Sequence, residues 1–313
     1  MKKTGYTRWI STALKVAIVL LASVYIVRRL AVQPNAAGIL AHIGASFYAS
    51  PFRFLLVLLL MPVNWMIESL KWKLLVSRSG EKLSFSEAVK GVLAGVTTGT
   101  ATPNRVGEFA GRIFMLKDRD RVELLLLTFV AGFCQVTVTI LAGLWGLLLY
   151  VPVDELSWHF SKYERMYLWL LPPLVFGAIA FFLALIRQRN IRVPRIPMRV
   201  FLQTLGLSTL RYAVYVLQFV LLLSLVAPAL NWKMATACVS VCYLLVTVLP
   251  TFSLTEVLVR GSVAGIVFSA MPLVSDEAVY VAILLWLINV ATPSLLGSVF
   301  VFRLKFFRNS SAE

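Results

Sequence analysis

Residues 83–112 read "LSFSEAVKGVLAGVTTGTATPNRVGEFAGR", and the way this stretch is folded decides the architecture of the chain. An apolar arm (86–98) breaks at "TGTATPN", and a second arm (105–116) carries Arg105, Glu108 and Arg112 among apolar residues. Crossing about 30 Å of hydrocarbon takes roughly 20 helical residues, so neither arm spans alone. Pro103 beside Asn104 ends a helix and frees backbone groups. In lipid such a break persists only where it faces protein or a wet cavity. The expected structure is a re-entrant pair of short helices that enters and leaves on one side.

The pattern recurs at 230–260, "LNWKMATACVSVCYLLVTVLPTFSLTEVLVR". Leu83 aligns with Leu230, Phe85 with Trp232 and Ala88 with Ala235; after one inserted residue Glu108 meets Glu256 and Arg112 meets Arg260, 148 positions on. The second pair of short segments, 233–249 and 254–271, breaks at "LPTFS", with Pro250 taking the place of Pro103.

The rest of the chain is a membrane protein's. Hydrophobic residues make up 59% and charged residues 14%, with mean hydropathy +0.84, against about a quarter charged in soluble domains. Long apolar runs such as 122–151 require helices and exclude the short alternating strands of a barrel. The expected fold is an all-α polytopic membrane protein, a single membrane domain over 1–313. It contains a retained first helix (9–30), repeat 1 (52–151), a connecting helix (164–187) and repeat 2 (200–303).

The net charge of +16 comes from basic residues clustered in short connections, which orient membrane proteins, so no nucleic-acid partner is expected. Segments 71–90, 117–121, 187–199 and the carboxyl tail are basic; 152–165 and 272–278 carry the acids. The positive-inside rule puts the first group, and both termini, on the cytoplasmic side of a cell inner membrane. That assignment makes the first broken pair re-enter from the cytoplasm and the second from outside, so the two halves are inverted repeats, an arrangement found in transporters. Arg28, Arg29 and Arg53 fall on the outer side and run against it.

Glu108 with Arg112, and Glu256 with Arg260, lie one helical turn apart and can meet on one face. Charges in hydrocarbon cost at least a few kcal/mol each unless they pair or meet water. Two readings stay open. Each pair pins its short helix, or Arg105, Arg112 and Arg260 line a polar pathway for a headgroup, since guanidinium forks match phosphate oxygens. Asn104, Thr251, Ser253 and Thr255 would add donors at the breaks, with Pro103, Gly107 and Pro250 as the structural breaks. General-base chemistry by Glu108 or Glu256 on a lipid is a third option.

Asn64, Glu68 and Lys71 or Trp72 share a stripe in "NWMIESLKWKLL" that suits interfacial anchoring. Asn289, Gln135 and Gln218 fit interhelical hydrogen bonds. Cys134, Cys238 and Cys242 read as small core packers, and His42 and His159 as bystanders. No metal-ligand spacing, Walker A motif or nucleotide loop is present, so neither a cofactor nor intrinsic ATP hydrolysis is expected.

"TPNRVGEFAGR" followed by "PTFSLTEVLVRG" resembles the membrane domain of the lysylphosphatidylglycerol synthase/flippase family over about residues 10–303. Pro103, Arg105, Gly107 and Glu108 match its first motif, while Pro250 and Glu256 match its second. Asn104 replaces a usual Gly, and the second motif lacks its usual glycines. The resemblance implies movement of a phospholipid or related anionic or zwitterionic lipid between leaflets, with phosphate-bearing membrane lipids as partners. It covers the membrane domain alone and so implies no lysyl transfer. A homodimer, a glycosyltransferase partner (with this chain as accessory subunit) and a lipid-modifying enzyme remain as alternatives.

Overall fold

The computed structural model describes residues 50–80, 83–102, 105–116, 121–150, 196–227, 231–249, 256–269 and 274–302, with isolated positions before residue 50. Within the expected first helix, Ala13, Val16, Ala17, Leu20 and Val24 are helical; the expected connecting helix at 164–187, like His42 and His159, lies outside the described residues.

Among the described residues every regular element is helical. The order is α1 (Pro51–Val76), α2 (Phe85–Thr100), α3 (Gly107–Ile113), α4 (Arg121–Tyr150), α5 (Met198–Val226), α6 (Trp232–Val248), α7 (Glu256–Phe268), α8 (Ser275–Trp286) and α9 (Thr292–Val301). Among the described residues four stretches are long and apolar enough to cross a membrane: α1, α4, α5 and the run Glu277–Val301 that joins α8 to α9.

Local chemistry sets the element ends. Pro51 opens α1, where its missing N–H is no loss. A 3-10 turn and Gly80, at φ 81°, close it in the left-handed region that glycine enters freely. Ser84 caps α2 reciprocally with Glu87: the Glu87 N–H donates to Ser84 Oγ at 3.3 Å and the Ser84 N–H to Glu87 Oε2 at 3.0 Å. The Ser84 hydroxyl, which donates to Glu87 Oε2 at 2.6 Å, and then the Ser84 N–H hold the exposed Glu87 carboxyl below the usual carboxylate range. Asn231 caps α6 by accepting from the Lys233 and Met234 N–H groups. Between α8 and α9 the chain takes a π turn, Leu287–Ala291, that absorbs Pro293, which has no N–H to give and would crowd the carbonyl four residues back. Asn289 sits in that turn.

The first broken pair folds as an antiparallel hairpin with almost no space between its arms. Thr98 Oγ1 donates to the Gly107 carbonyl at 2.6 Å, and the Gly107 N–H donates to Thr102 Oγ1 at 2.7 Å. A Cβ on Gly111 would lie 2.3 Å from Thr98 Oγ1 and 2.6 Å from Gly95 Cα. The second arm is shorter than the expected 105–116, because residues 105–106 form the turn.

Helices from the two halves pack reciprocally. α1 runs antiparallel to α5: Gln218 Nε2 donates to the Val57 carbonyl at 2.9 Å, Arg211 Nε to Asn64 Oδ1 at 2.9 Å, and Lys71 Nζ to Ser208 Oγ at 3.4 Å. α2 lies on α9, where Thr97 Oγ1 donates to the Ser294 carbonyl at 2.6 Å and the Thr100 and Ser294 hydroxyls meet at 2.7 Å. α6 lies on α4, where Gly143 faces Leu244 and Gly146 faces Ala237 and Ser240. The starts of α1 and α5, and of α2 and α6, are each 147 positions apart (51 to 198, 85 to 232). Gln135, Gln218 and Asn289 make interhelical hydrogen bonds as their sequence context suggests, and the three cysteines are free and buried. Outward apolar side chains such as Leu141, Trp145 and Leu148 are what a lipid-facing surface requires.

Gly297 tests this packing, since an added Cβ would stand 2.1 Å from the Leu93 carbonyl oxygen. Gly297→Ala is expected to cost about 1–3 kcal/mol through overpacking. Gly206→Ala, where nothing lies within 4 Å of the new carbon, should be neutral or stabilising. Melting of both variants in detergent distinguishes the two outcomes.

Candidate functional site

One carboxylate organises the charged interior. Glu68, on α1, lies 2.8 Å from Lys71 Nζ one turn away, 2.7 Å from Arg112 Nη1 of α3 and 2.8 Å from Arg211 Nη1 of α5. All four side chains are largely enclosed by protein, Glu68 and Arg112 each at 4% exposure. This corrects the interfacial reading of 64–75: Lys71 and Trp72 point into the bundle, because Glu68 needs cations there and Gln135 and Ser208 accept from the Lys71 ammonium. Arg112 also bonds Glu108, closing the expected turn-spaced pair.

The second expected pair forms as well, with Arg260 donating from Nε and Nη2 to Glu256 Oε1 at 3.2 and 3.0 Å. Arg105 joins the halves. Its Nη2 lies 3.5 Å from Glu108 Oε2 and its Nη1 3.8 Å from Glu256 Oε1. Arg105 has φ 56°, the only non-glycine residue among those described with a positive φ. A left-handed arginine costs of the order of 1 kcal/mol or more and persists where surrounding contacts over-determine it. Here it turns the chain into α3 and places the guanidinium between the two glutamates.

The two Glu-Arg pairs are alike in sequence and unlike in surroundings. Arg112 is enclosed and locked to Glu68, whereas the Arg260 side chain is 26% exposed and that of Arg105 25%. Arg105 and Arg260 border a cavity of about 210 Å³ between α4, α5, α6 and the α8–α9 run. Arg211 supplies a third guanidinium, Gln135, Thr139, Thr247 and Asn289 supply neutral polar groups, and Tyr212, Tyr215, Phe219 and Tyr243 form an aromatic wall. Arg211 also lies 5.2 Å from the Trp65 ring centroid and 5.4 Å from that of Tyr215.

Of the residues expected at the site, Arg105, Glu108, Arg112, Glu256 and Arg260 are thus brought into one network, and Gly107 into the hairpin turn. Pro103, Asn104, Pro250, Thr251, Ser253 and Thr255 lie outside the described residues. Sequence reasoning passed over Arg211. Its signal was an arginine inside the apolar run 200–227, a setting in which a charge faces the bundle interior. Among the described residues no group of three His, Cys, Asp or Glu is placed to hold a metal ion.

The model of the family described as "Lysylphosphatidylglycerol synthase TM region" matches residues 12–297. The chain belongs to that family. No curated protein and no solved structure matches it.

Removing one partner of a buried charge cluster leaves the others uncompensated, at about 3–5 kcal/mol. Glu68→Ala is therefore expected to destabilise the protein by that order, and more than Glu108→Ala, which leaves Arg112 its bond to Glu68. Denaturation midpoints of the two variants in detergent provide the comparison; equal losses would remove Glu68 from its central place.

Proposed function

We propose that this protein moves a lipid with a phosphate-bearing headgroup between the leaflets of the cytoplasmic membrane. The observation that carries the reading is the cavity where the two halves meet, bordered by the guanidinium groups of Arg105, Arg211 and Arg260. Guanidinium forks bind phosphate oxygens bidentately, and a largely enclosed setting strengthens the contact. The headgroup passes along these arginines while the acyl chains stay in the bilayer. The Arg105 contacts to Glu108 and Glu256, at 3.5 and 3.8 Å, are long enough for a phosphate to compete for that guanidinium.

Several features support an inverted-repeat transporter. α1 and α5 begin 147 positions apart and run antiparallel; α2 packs on the last helix of the second half, and α6 on that of the first. The α2–α3 and α6–α7 pairs then re-enter from opposite faces, their breaks meeting near the midplane. The basic connections put both termini in the cytoplasm. Membership of the family is consistent with a lipid-related role. Transport is favoured over lipid modification because Glu108 and Glu256 are each engaged by guanidinium groups, which leaves neither as a free general base.

The test is a leaflet assay. Protein is reconstituted into vesicles with headgroup-labelled phospholipid, and externally quenchable label is followed in time. Wild type is expected to expose inner-leaflet lipid, and Arg105→Gln or Arg260→Gln to slow exposure about tenfold, the effect of losing about 1.4 kcal/mol of headgroup interaction. Exposure no faster than in protein-free vesicles, or equal in wild type and both variants, rejects the proposal.

A further inference from the structure

The charges around the cavity do not cancel. Among the described residues the network holds five cations, Lys71, Arg105, Arg112, Arg211 and Arg260, against three carboxylates, Glu68, Glu108 and Glu256. Glu68 is shared by three cations, Glu108 by two and Glu256 by two, so the surplus is built into the pairing. A largely buried net charge of this size favours an opposite charge beside it, and Arg105 and Arg260, each about a quarter exposed, are placed to receive one.

Unused donors lie at the same place. Arg105 Nε and Asn289 Nδ2 are buried without a hydrogen-bond partner, and both residues border the cavity. Arg260 spends Nε and Nη2 on Glu256, which leaves Nη1 outside that pair. A buried donor without an acceptor is costly in an apolar setting and marks a position where an acceptor is expected.

We infer that the cavity selects a doubly charged phosphate, as in a phosphomonoester headgroup or free inorganic phosphate, over a singly charged phosphodiester or a zwitterionic headgroup. A phosphomonoester carries about −1.5 to −2 near neutral pH, close to the uncompensated charge, and presents three terminal oxygens to the donors around it. A phosphodiester leaves about one cation unmatched, and a zwitterion brings an ammonium group towards three guanidiniums. The inference rests on the transport reading for the identity of the site, and deepens it by naming the charge class of the cargo.

The experiment is equilibrium binding by the full chain in phosphatidylcholine nanodiscs. Phosphatidic acid is the monoester probe, phosphatidylglycerol the diester probe, and inorganic phosphate the soluble probe. Phosphatidic acid is expected to bind about tenfold more tightly than phosphatidylglycerol, the difference made by about 1.4 kcal/mol. Arg260→Gln should erase most of that preference and Arg260→Lys should keep it, which separates lost charge from lost folding. If millimolar inorganic phosphate displaces the lipid, the dianion can come from solution. If it does not, the headgroup is held together with its chains; either result keeps the dianion assignment. Equal binding of the two lipids to wild type, or equal losses for both in Arg260→Gln, overturns it. Because binding is read without transport, a monoester preference with no leaflet exchange would reject the transport reading alone.

Discussion

The Glu68 carboxylate is the contact on which the rest of the interior depends. It sits on a membrane-spanning helix, with Lys71, Arg112 and Arg211 each within 2.8 Å. Charges buried within a bilayer survive only in such groups, because each alone costs several kcal/mol and the cost falls only as partners are supplied. The three cations come from α1, α3 and α5. One acidic side chain therefore ties the short arm of the broken pair to the two antiparallel helices that join the halves. The α2–α3 hairpin, glycine-packed and too short to span, is fixed to those helices by that tie as well as by its own hydrogen bonds.

This anchoring divides the labour among the arginines. Arg112 is enclosed and paired through Nη1 and Nη2 with two carboxylates, which suits it to holding structure. Arg105 and Arg260 share Glu256 and keep a quarter of their side-chain surface open at the border of the cavity. Of the two readings open in the sequence, pinning suits the geometry of Arg112, and the headgroup pathway is the proposal made for Arg105 and Arg260. The left-handed backbone at Arg105 fits the same division, since it buys a guanidinium between two glutamates that no regular helix at that position would place there.

Much of the architecture was legible because membranes leave few options. Proline breaks between arms too short to span, and the repeat of Glu-x-x-x-Arg after 148 positions, locate α2 with α3 and α6 with α7 in the sequence itself. Intrahelical pairing followed from spacing alone, and both Glu-Arg pairs form. Three things were not legible. Glu68 and Lys71 looked interfacial because they stand near tryptophans at the end of an apolar run; only the approach of Arg112 and Arg211 from other helices shows that they turn inward. Arg211 stood out only as a charge inside the apolar run 200–227, since Asn64 and Glu68, the groups that engage it from α1, lie about 145 residues away in the chain. The π turn at Leu287–Ala291 was hidden in the same way: Pro293 announced a disturbance but not its form.

The measurement that bears most directly on this account is an experimental density map of the protein in lipid nanodiscs, at a resolution that separates side chains. The account predicts Glu68 in contact with Lys71, Arg112 and Arg211, and a headgroup phosphate in the cavity within hydrogen-bonding distance of Arg105, Arg211 and Arg260. A map in which those three guanidiniums point away from one another, or in which the cavity is closed by apolar side chains, would contradict it.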